Sequence, residues 1–292
     1  MQIPNFLIEK LYKQYGQEIS EKIENGLISK RPVTFRINTL KTCKEEVLKE
    51  LTENNIKFEE VEWNDNALII KDVVEDDIRK LRIYNDGEIY LQSLSSMIPP
   101  VILDPKEKEN ILDMAAAPGG KTTQISALSN EKSYITACEK NKIRCDRLKY
   151  NLQKQGVGNV NIMQEDARKL SDFFSFDKIL LDAPGRGSGT ESVFNPKFTE
   201  ELIQRSARTQ EELLTKALKI LKKDGEIVYS TCSILQEENE RVLEKTIKKF
   251  NAKIIPIKKI EGIEYLPVSI EGTLCVCPTN LYEGFFVAKI IK

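Results

Sequence analysis

The chain has 292 residues, 40% of them hydrophobic, which is long enough to bury one large core and carry a smaller appended unit. Its 44 basic and 45 acidic side chains leave a formal net charge of −1, so gross charge does not indicate a polyanion-binding protein. The complete absence of histidine excludes Ser-His-Asp triads, Cys-His dyads and histidine metal sites, and leaves Cys, Lys, Asp, Glu, Tyr or the backbone for any catalysis.

The first third of the chain predicts a helical start followed by a small α+β unit. Residues 4–27 have the pattern of two short helices, with Pro4 suited to a first turn and Gly26 to a C-terminal stop. The predicted order is then strand 33–39, helix 44–54, strand 56–63 and strand 67–71. We expect N-terminal helices over 1–30 and a small α+β region over 31–108.

From residue 109 onward, short apolar runs alternate with amphipathic helices, which is typical of a parallel sheet with helical crossovers. Strands are predicted at 111–113, 133–138, 161–163, 178–182, 226–230, 253–257 and 284–291. Helices are predicted between them at 120–129, 141–155, 199–222 and 236–250. Residues 109–292 therefore predict an α/β, Rossmann-like domain.

A loop of small residues follows the first strand of this domain and opens a helix. Small side chains let the backbone approach a ligand closely, and the helix N-terminus presents unpaired N–H groups. A P-loop would need glycine at the position of Ala115, and a dinucleotide oxidoreductase would need G-x-G-x-x-G, so neither motif fits. The residues expected to contact a ligand are Ala115, Ala116, Ala117, Pro118, Gly119, Gly120 and Lys121.

Acidic residues stand at the ends of four successive predicted strands: Asp113, Glu139, Asp166 and Asp182. Ligands of open parallel sheets bind beyond the carboxyl ends of the strands. Glu139 could accept hydrogen bonds from two ribose hydroxyls, and Asp166 could accept one from an adenine amino group. Any one of these residues alone could be a helix cap, but together they predict an adenosine-shaped site.

Cys232 follows the fifth strand and is therefore expected beside this site. A buried structural cysteine is the alternative, but the helix predicted from residue 236 has a dipole that could favour a thiolate. A thiolate can add to carbon 6 of cytosine, which activates carbon 5 toward a methyl sulfonium. Asp182 could protonate or hydrogen-bond N3 of that base. Lys121 could orient the base or stabilise the thiolate, or be an exposed lysine at a helix start.

Ordered motifs over nearly the whole chain resemble the Nop/Sun family of RNA cytosine-5 methyltransferases. The matching segments are Arg36 to Leu40, Gln92 to Met97, Ala115 to Lys121, Glu139 with Arg144 and Arg147, Asp182 to Pro184, Ser230 to Ser233, Glu237 to Asn239 and Gly284 to Phe286. The resemblance implies a class I methyltransferase fold, whose mostly parallel sheet has seven strands with the last antiparallel. It also implies S-adenosylmethionine as cofactor and an rRNA or tRNA substrate.

The resemblance also assigns roles to individual residues. It implies Cys232 as the attacking thiol, with Lys121 and Asp182 around the flipped base. The implied cofactor contacts are Ala115 to Lys121, Glu139, Arg144, Asp166 and Asp182. It gives residues 33–71 a role as an RNA-contacting module similar to an RNA recognition motif. The aromatic side chains of that module could equally be core residues; they are Phe35, Phe58 and Trp63.

The chain departs from the family at Gly185, where the fourth motif usually has a second cysteine. In the family that cysteine is thought to help break the covalent enzyme-RNA adduct. Its absence predicts slow product release. It also leaves open an alternative function, a catalytically impaired RNA-binding or assembly factor that has kept the methyltransferase fold.

The remaining features predict where the protein works and with what. The six cysteines lack a C-x-x-C pair and are expected to be reduced, and no metal site is expected, since Cys275 and Cys277 would need two further ligands. The apolar run Met97 to Leu103 is shorter than the roughly 18 residues of a membrane-spanning helix. We expect a soluble, cytoplasmic monomer. Two basic clusters could bind RNA or be solvated faces: Lys30, Arg31 and Arg36, and Lys140, Lys142, Arg144, Arg147 and Lys149.

Overall fold

The computed structural model describes residues 2–292, which form two β-sheets. The elements of the first part of the chain are α1 (Asn5–Tyr15), α2 (Gln17–Ile28), β1 (Val33–Ile37), α3 (Lys44–Glu53), β2 (Phe58–Glu60), β3 (Ala67–Ile70), α4 (Glu75–Arg79), α5 (Arg82–Asn85) and β4 (Ile89–Leu91). The four strands form an antiparallel sheet in the order β2-β3-β1-β4. Its core includes Phe35, Leu51 and Leu68, all fully buried.

The second part of the chain builds the large sheet. Its elements are α6 (Leu94–Leu103), β5 (Asn110–Asp113), α7 (Gly120–Leu128), β6 (Tyr134–Cys138), α8 (Lys142–Lys154), β7 (Val160–Met163), β8 (Phe176–Asp182), α9 (Glu200–Ile220), β9 (Leu221–Thr231), α10 (Glu240–Phe250), β10 (Lys253–Ile255), β11 (Tyr265–Leu266), β12 (Leu274–Val276) and β13 (Phe285–Ile291). Strands β5 to β9 run parallel in the order β9-β8-β5-β6-β7, and β13 pairs antiparallel with β9.

The predicted α/β class and the antiparallel last strand are confirmed. The sheet has nine strands rather than seven, because β11 and β12 form a short hairpin beside β13 that the sequence pattern does not predict. Helix α6 was also missed, because Pro99 and Pro100 lie inside it and proline ordinarily argues against a helix interior.

Helices α1, α2 and α6 all pack against the large sheet, although they lie outside the predicted domain 109–292. Helices α1 and α2 bury Leu7, Leu11 and Ile23 in the core of the large sheet, where these residues join Ile234 and Leu235. Helix α6 packs against α7, β9 and β13. Residues 94–103, which lie in the predicted α+β region, thus pack against elements of the large sheet. Within residues 2–292, no helix combines the length and apolarity needed to cross a membrane.

Candidate active site

The parallel strands bring their carboxyl ends to one edge of the large sheet. Asp113 ends β5 and Asp182 ends β8, while Glu139 directly follows β6. Asp166 lies three residues beyond β7, and Cys232 directly follows β9. A cleft of about 480 Å³ opens at this edge, within the usual size range of small-molecule sites. Its walls include Ala115, Ala117, Glu139, Arg144, Asp166, Asp182, Gly185, Cys232 and Glu283.

The loop between β5 and α7 separates this cleft from an adjoining cavity of about 210 Å³. Ala116, Pro118, Gly120 and Lys121 line the smaller cavity, while Ala115, Ala117 and Asp182 line both. The structure places Gly119 in neither cavity. Gly119 precedes α7 with a φ of 109°, a left-handed conformation that favours glycine, and a Cβ there would lie 3.0 Å from Leu148 Cδ1.

Buried polar contacts hold this loop in place. Thr122 Oγ1 donates to Asp113 Oδ2 over 2.7 Å, and the Ala116 N–H donates to the carbonyl oxygen of Cys138 over 2.9 Å. Burial of the Asp113 carboxyl raises its pKa to about 6. Asp113 is thus a support of the loop beneath the cleft, whereas the other strand-end acids face the cleft itself.

Glu139 presents a carboxylate that is nearly enclosed, with its side chain 3% exposed. The Asn141 N–H donates to Glu139 Oε1 over 2.8 Å, and an Arg144 guanidinium nitrogen lies 3.3 Å from Oε2. Arg144 also donates to the carbonyl oxygen of Ala117 over 2.7 Å. The predicted pair of Glu139 and Arg144 is therefore brought together, with Arg144 fixing both the carboxylate and the small-residue loop.

Asp166 is oriented by Arg168. Both carboxylate oxygens accept from the Arg168 guanidinium at 2.6 to 3.2 Å, and Oδ1 also accepts from the Arg168 N–H. These hydrogen bonds lower the pKa of Asp166 to about 2, so the carboxylate stays ionised. Arg168 thus makes two hydrogen bonds to each carboxylate oxygen, and Asp166 itself lies in the wall of the cleft.

Lys121 and Asp182 form a partly buried ion pair. Lys121 Nζ lies 2.7 Å from Asp182 Oδ2, and its side chain is only 13% exposed, so Lys121 is not an exposed lysine at a helix start. Lys121 Nζ also donates to Ser96 Oγ over 2.8 Å, and Ser230 Oγ donates to Asp182 Oδ1 over 2.8 Å. Three hydrogen-bonded side chains, from α6, α7 and β9, therefore fix the Asp182 carboxylate.

Cys232 lies partly buried in the wall of the cleft that also contains Asp182. Burial and the charge of Asp182 raise the pKa of the thiol to about 12, although Lys121 acts in the opposite direction. The expected effect of a helix dipole is wrong: residues 236–238 form a single 3₁₀ turn, and α10 begins only at Glu240. Lys121 is thus the positive group that favours the thiolate.

Comparison with known proteins places this site in a family. Residues 100–291 match the model described as 16S rRNA methyltransferase RsmB/F, and residues 3–75 match the ferredoxin-like domain of RsmF/B-like methyltransferases. The chain belongs to the RsmB/F methyltransferase family. The predicted membership of the Nop/Sun family is confirmed, and S-adenosylmethionine is the cofactor, as the sequence predicts.

Three relatives illustrate the extent of the similarity. The chain is 34% identical to a 28S rRNA (cytosine-C(5))-methyltransferase of Mus musculus over 99% of its length and 38% of that protein. It is 33% identical to a tRNA (cytosine(49)-C(5))-methyltransferase of Pyrococcus abyssi, over 97% of this chain and 96% of that protein. NSun6 from Pyrococcus horikoshii, solved with SFG, superposes with a TM-score of 0.91 at 26% identity, covering 99% and 98% of the two chains. The chain spans 38 to 55% of the length of several curated relatives it matches.

This RsmB/F chain has Gly185 at the position where the fourth motif usually has a second cysteine. Gly185 lines the cleft, and a Cβ there would lie 2.9 Å from Glu238 Oε1 and 3.3 Å from Gln210 Nε2. Glu238 is completely buried, burial raises its pKa, and its Oε2 has no hydrogen-bond partner within residues 2–292. The carboxyl group of Glu238 therefore occupies the space beside residue 185 where a larger side chain would extend.

Sequence reasoning missed several residues of the RsmB/F site. Ser96 and Ser230 bind the ends of the Lys121–Asp182 pair, and Ser93 Oγ donates to Glu283 Oε2 over 2.8 Å in the cleft wall. The motif segments Gln92 to Met97, Ser230 to Ser233 and Gly284 to Phe286 contain or flank these residues. The resemblance therefore marked the segments without identifying which side chains reach the site.

Arg36 is a correction to the predicted basic clusters. Arg36 is 3% exposed, and it donates to Thr123 Oγ1 over 2.9 Å and stacks against the Tyr90 ring. Burial lowers its pKa to about 10. Asn38 similarly donates to the carbonyl oxygens of Gly87 and Gln155. This first motif of the family therefore joins the small sheet to α7 and α8, and Arg36 is not part of an exposed RNA-binding cluster.

Proposed function

We propose that the chain transfers a methyl group from S-adenosylmethionine to carbon 5 of a cytosine in RNA, through a covalent adduct with Cys232. The observation that carries this proposal is the presence of Cys232, Asp182, Glu139 and Asp166 in the walls of one cleft. The curated relatives, whose names specify cytosine-C5 methylation of rRNA or tRNA, support the same reaction and substrate class.

The cleft has the chemistry that this cofactor requires. Glu139 offers a nearly enclosed, ionisable acceptor for ribose hydroxyls, and Asp166 offers a second acceptor for the adenine amino group. Ala115 and Ala117 line the cleft with small side chains, and Arg144 fixes the Ala117 carbonyl. Bound there, S-adenosylmethionine supplies an electrophilic methyl group. The acidic lining also suits the net positive charge of its sulfonium and ammonium groups.

The chain's own groups then activate the base. The Cys232 thiolate adds to carbon 6 of cytosine, and the electron pair of the C5–C6 double bond moves toward N3. As negative charge develops on N3, Asp182 relays a proton from solvent to N3 and so stabilises the resulting enamine, while Lys121 and Ser230 hold Asp182 in position. Carbon 5 thereby becomes a nucleophile. The target base must leave any helical stack to reach the cleft.

Release of the product requires removal of the carbon 5 proton, after which the C5–C6 double bond re-forms and the bond to sulfur breaks. The second cysteine is absent at Gly185, so this step is slow in our proposal. The same observation favours the second candidate function, an RNA-binding or assembly factor with impaired catalysis.

Methylation of total RNA tests the proposal. Purified protein, methyl-labelled S-adenosylmethionine and total RNA should yield label in 5-methylcytosine, and Cys232→Ala should yield none. Cys43→Ala is the matched control, since Cys43 is exposed on the small sheet side of the molecule, and it should retain activity. Absence of labelled 5-methylcytosine from both rRNA and tRNA would reject the enzyme and favour the assembly factor.

A further inference from the structure

Helix α8 carries an unusual exposed face. Ile143, Arg147, Tyr150 and Lys154 are spaced four, three and four residues apart and therefore lie along one side of the helix. Ile143 is 68% exposed and Tyr150 is 63% exposed. We call these four residues the α8 track. Large apolar and aromatic side chains interleaved with cations differ from the polar face of an ordinary solvated helix.

The cations of the α8 track lack acidic partners. Within residues 2–292, neither Arg147 nor Lys154 forms an ion pair, although the neighbouring Asp146 pairs with Lys149 at 3.8 Å. Burial and the nearby charges of Arg79 and Lys41 lower the pKa of Lys154. The track thus holds positive charge that no protein carboxylate neutralises.

At the far end of the track, Lys154 lies beside residues from the part of the chain that forms the small sheet. Lys154 Nζ lies 3.7 Å from the centroid of the Tyr84 ring, and Arg79 also stacks on that ring while donating to its hydroxyl over 2.6 Å. Lys41 Nζ donates to the carbonyl oxygen of Lys154 over 2.8 Å. A second aromatic ring and two further cations therefore gather where the two sheets meet.

The near end of the track lies next in sequence to residues of the cleft. Arg144, in the first turn of α8, and Lys140, two residues before the helix, both line the cleft that contains Cys232. The helix has 13 residues and so spans about 20 Å from the cleft to Lys154. The track therefore runs along α8 from beside the cleft wall to the junction with the small sheet.

We propose that the α8 track binds the single-stranded RNA segment that flanks the target cytosine. This inference rests on the proposed function. Single-stranded nucleic acid is bound by aromatic rings that stack on bases together with cations that contact phosphates, and the track places the Tyr150 ring between the cations of Arg147 and Lys154. Duplex RNA is recognised through its shape and backbone, which leaves exposed Tyr150 and Ile143 without a role.

RNA binding in the Cys232→Ala background tests this inference separately from catalysis. The probes are a fluorescent single-stranded RNA of mixed sequence with central cytosines and the same strand annealed to its complement. Arg147→Ala with Lys154→Ala should weaken single-strand binding roughly tenfold or more and flatten the salt dependence of log Kd by about 1.4, the contribution of two phosphate contacts. Tyr150→Ala should weaken binding roughly five- to hundredfold, the range for loss of one stacked base.

Lys149→Ala is the matched control, because Lys149 lies on the same helix but already pairs with Asp146. It should leave the affinity within about twofold, as surface pairs contribute little. Thermal unfolding and S-adenosylmethionine affinity of every variant should match the parent. Unchanged single-strand affinity in the Arg147 and Lys154 double variant, or an equal loss with Lys149→Ala, would overturn the inference. A preference for the duplex probe would also overturn it. If the parent protein methylates RNA but the track variants bind RNA as the parent does, the inference fails and the proposed function stands.

Discussion

The two halves of the cleft differ in how completely they match the chemistry expected of them. In the cofactor half, Glu139 and Asp166 follow successive strands, and each is oriented by an arginine, Arg144 or Arg168. In the reactive half, Cys232 and Asp182 are present, but Gly185 replaces the expected second cysteine. In the proposed mechanism, the groups that bind the cofactor and form the adduct are present, whereas the cysteine that would help to break the adduct is absent.

In the reactive half, the side chains that position Asp182 come from several elements that are far apart in the sequence. The Asp182 carboxylate is held by Lys121 and Ser230, and Lys121 in turn by Ser96. By contrast, Glu139 is held by groups next to it in the chain. Changes in the reactive half should therefore lower the rate of methyl transfer, and changes in the cofactor half should lower affinity.

The largest effect is expected from Asp182→Asn. The amide keeps the shape and can accept from Ser230, but it loses the charge that faces Lys121 and the carboxylate that relays a proton to N3. The turnover number should fall about 100- to 10,000-fold, the usual contribution of acid–base catalysis. Asp177→Asn, at the other end of β8, is the control and should retain most activity. Equal kinetics of Asp182→Asn and the parent would remove Asp182 from the mechanism.

The pH dependence should follow Cys232. Because burial raises its pKa to about 12, the thiolate is a minor species at neutral pH, and its fraction rises about tenfold per pH unit. Single-turnover methyl transfer at saturating cofactor should therefore increase between about pH 7 and pH 9, with a log-log slope near 1. A rate that is flat across this range would show that the thiolate is already formed in the complex.

A smaller effect, confined to affinity, is expected in the cofactor half. Glu139→Gln removes the charge that would accept from ribose hydroxyls and should weaken S-adenosylmethionine binding roughly 10- to 100-fold, as for hydrogen bonds to charged groups. The turnover number at saturating cofactor should change little. Glu165→Gln is the control, since Glu165 lines the same cleft but is exposed. Calorimetric titration measures both affinities, and equal losses would contradict the assigned role of Glu139.

The smallest effect is expected from restoring the missing thiol. In Gly185→Cys the new Cβ would lie 2.9 Å from Glu238 Oε1, so the buried carboxyl must move. We expect a loss of about 1–3 kcal/mol in the free energy of unfolding, typical of overpacking, and no gain in turnover. Denaturant unfolding and the amount of adduct on a denaturing gel check this. Faster turnover with less adduct would show that the cleft still accepts a second thiol.

The sequence predicts the parts of this molecule that depend on local pattern. Alternating apolar runs and helices located the parallel strands, and position after a strand identified Glu139, Asp166, Asp182 and Cys232. Helix α6 was missed because its two prolines oppose the local helix signal, and with it the contact of Ser96 to Lys121. A contact between two residues that are far apart in the sequence produces no periodic pattern, so the sequence pattern does not predict it.

The sequence also does not show how deeply individual side chains are buried. Basic side chains are normally solvated, so the sequence groups Arg36 with Lys30 and Arg31 in an exposed cluster. In the structure, Arg36 is enclosed against Thr123 and Tyr90. The thiol environment of Cys232 likewise depends on burial and on Asp182, not on a following helix. Both corrections arise from tertiary packing between segments that are remote in sequence.

Covalent trapping of Cys232 tests the central claim most directly. RNA that contains 5-fluorocytidine has no carbon 5 proton to lose, so the adduct formed after methyl transfer cannot resolve. The parent protein with this RNA and S-adenosylmethionine should give a protein-RNA conjugate on a denaturing gel, and peptide mass mapping should place the base on Cys232. A conjugate on another residue, or methylation of ordinary RNA without any conjugate in the trapping reaction, would contradict the account.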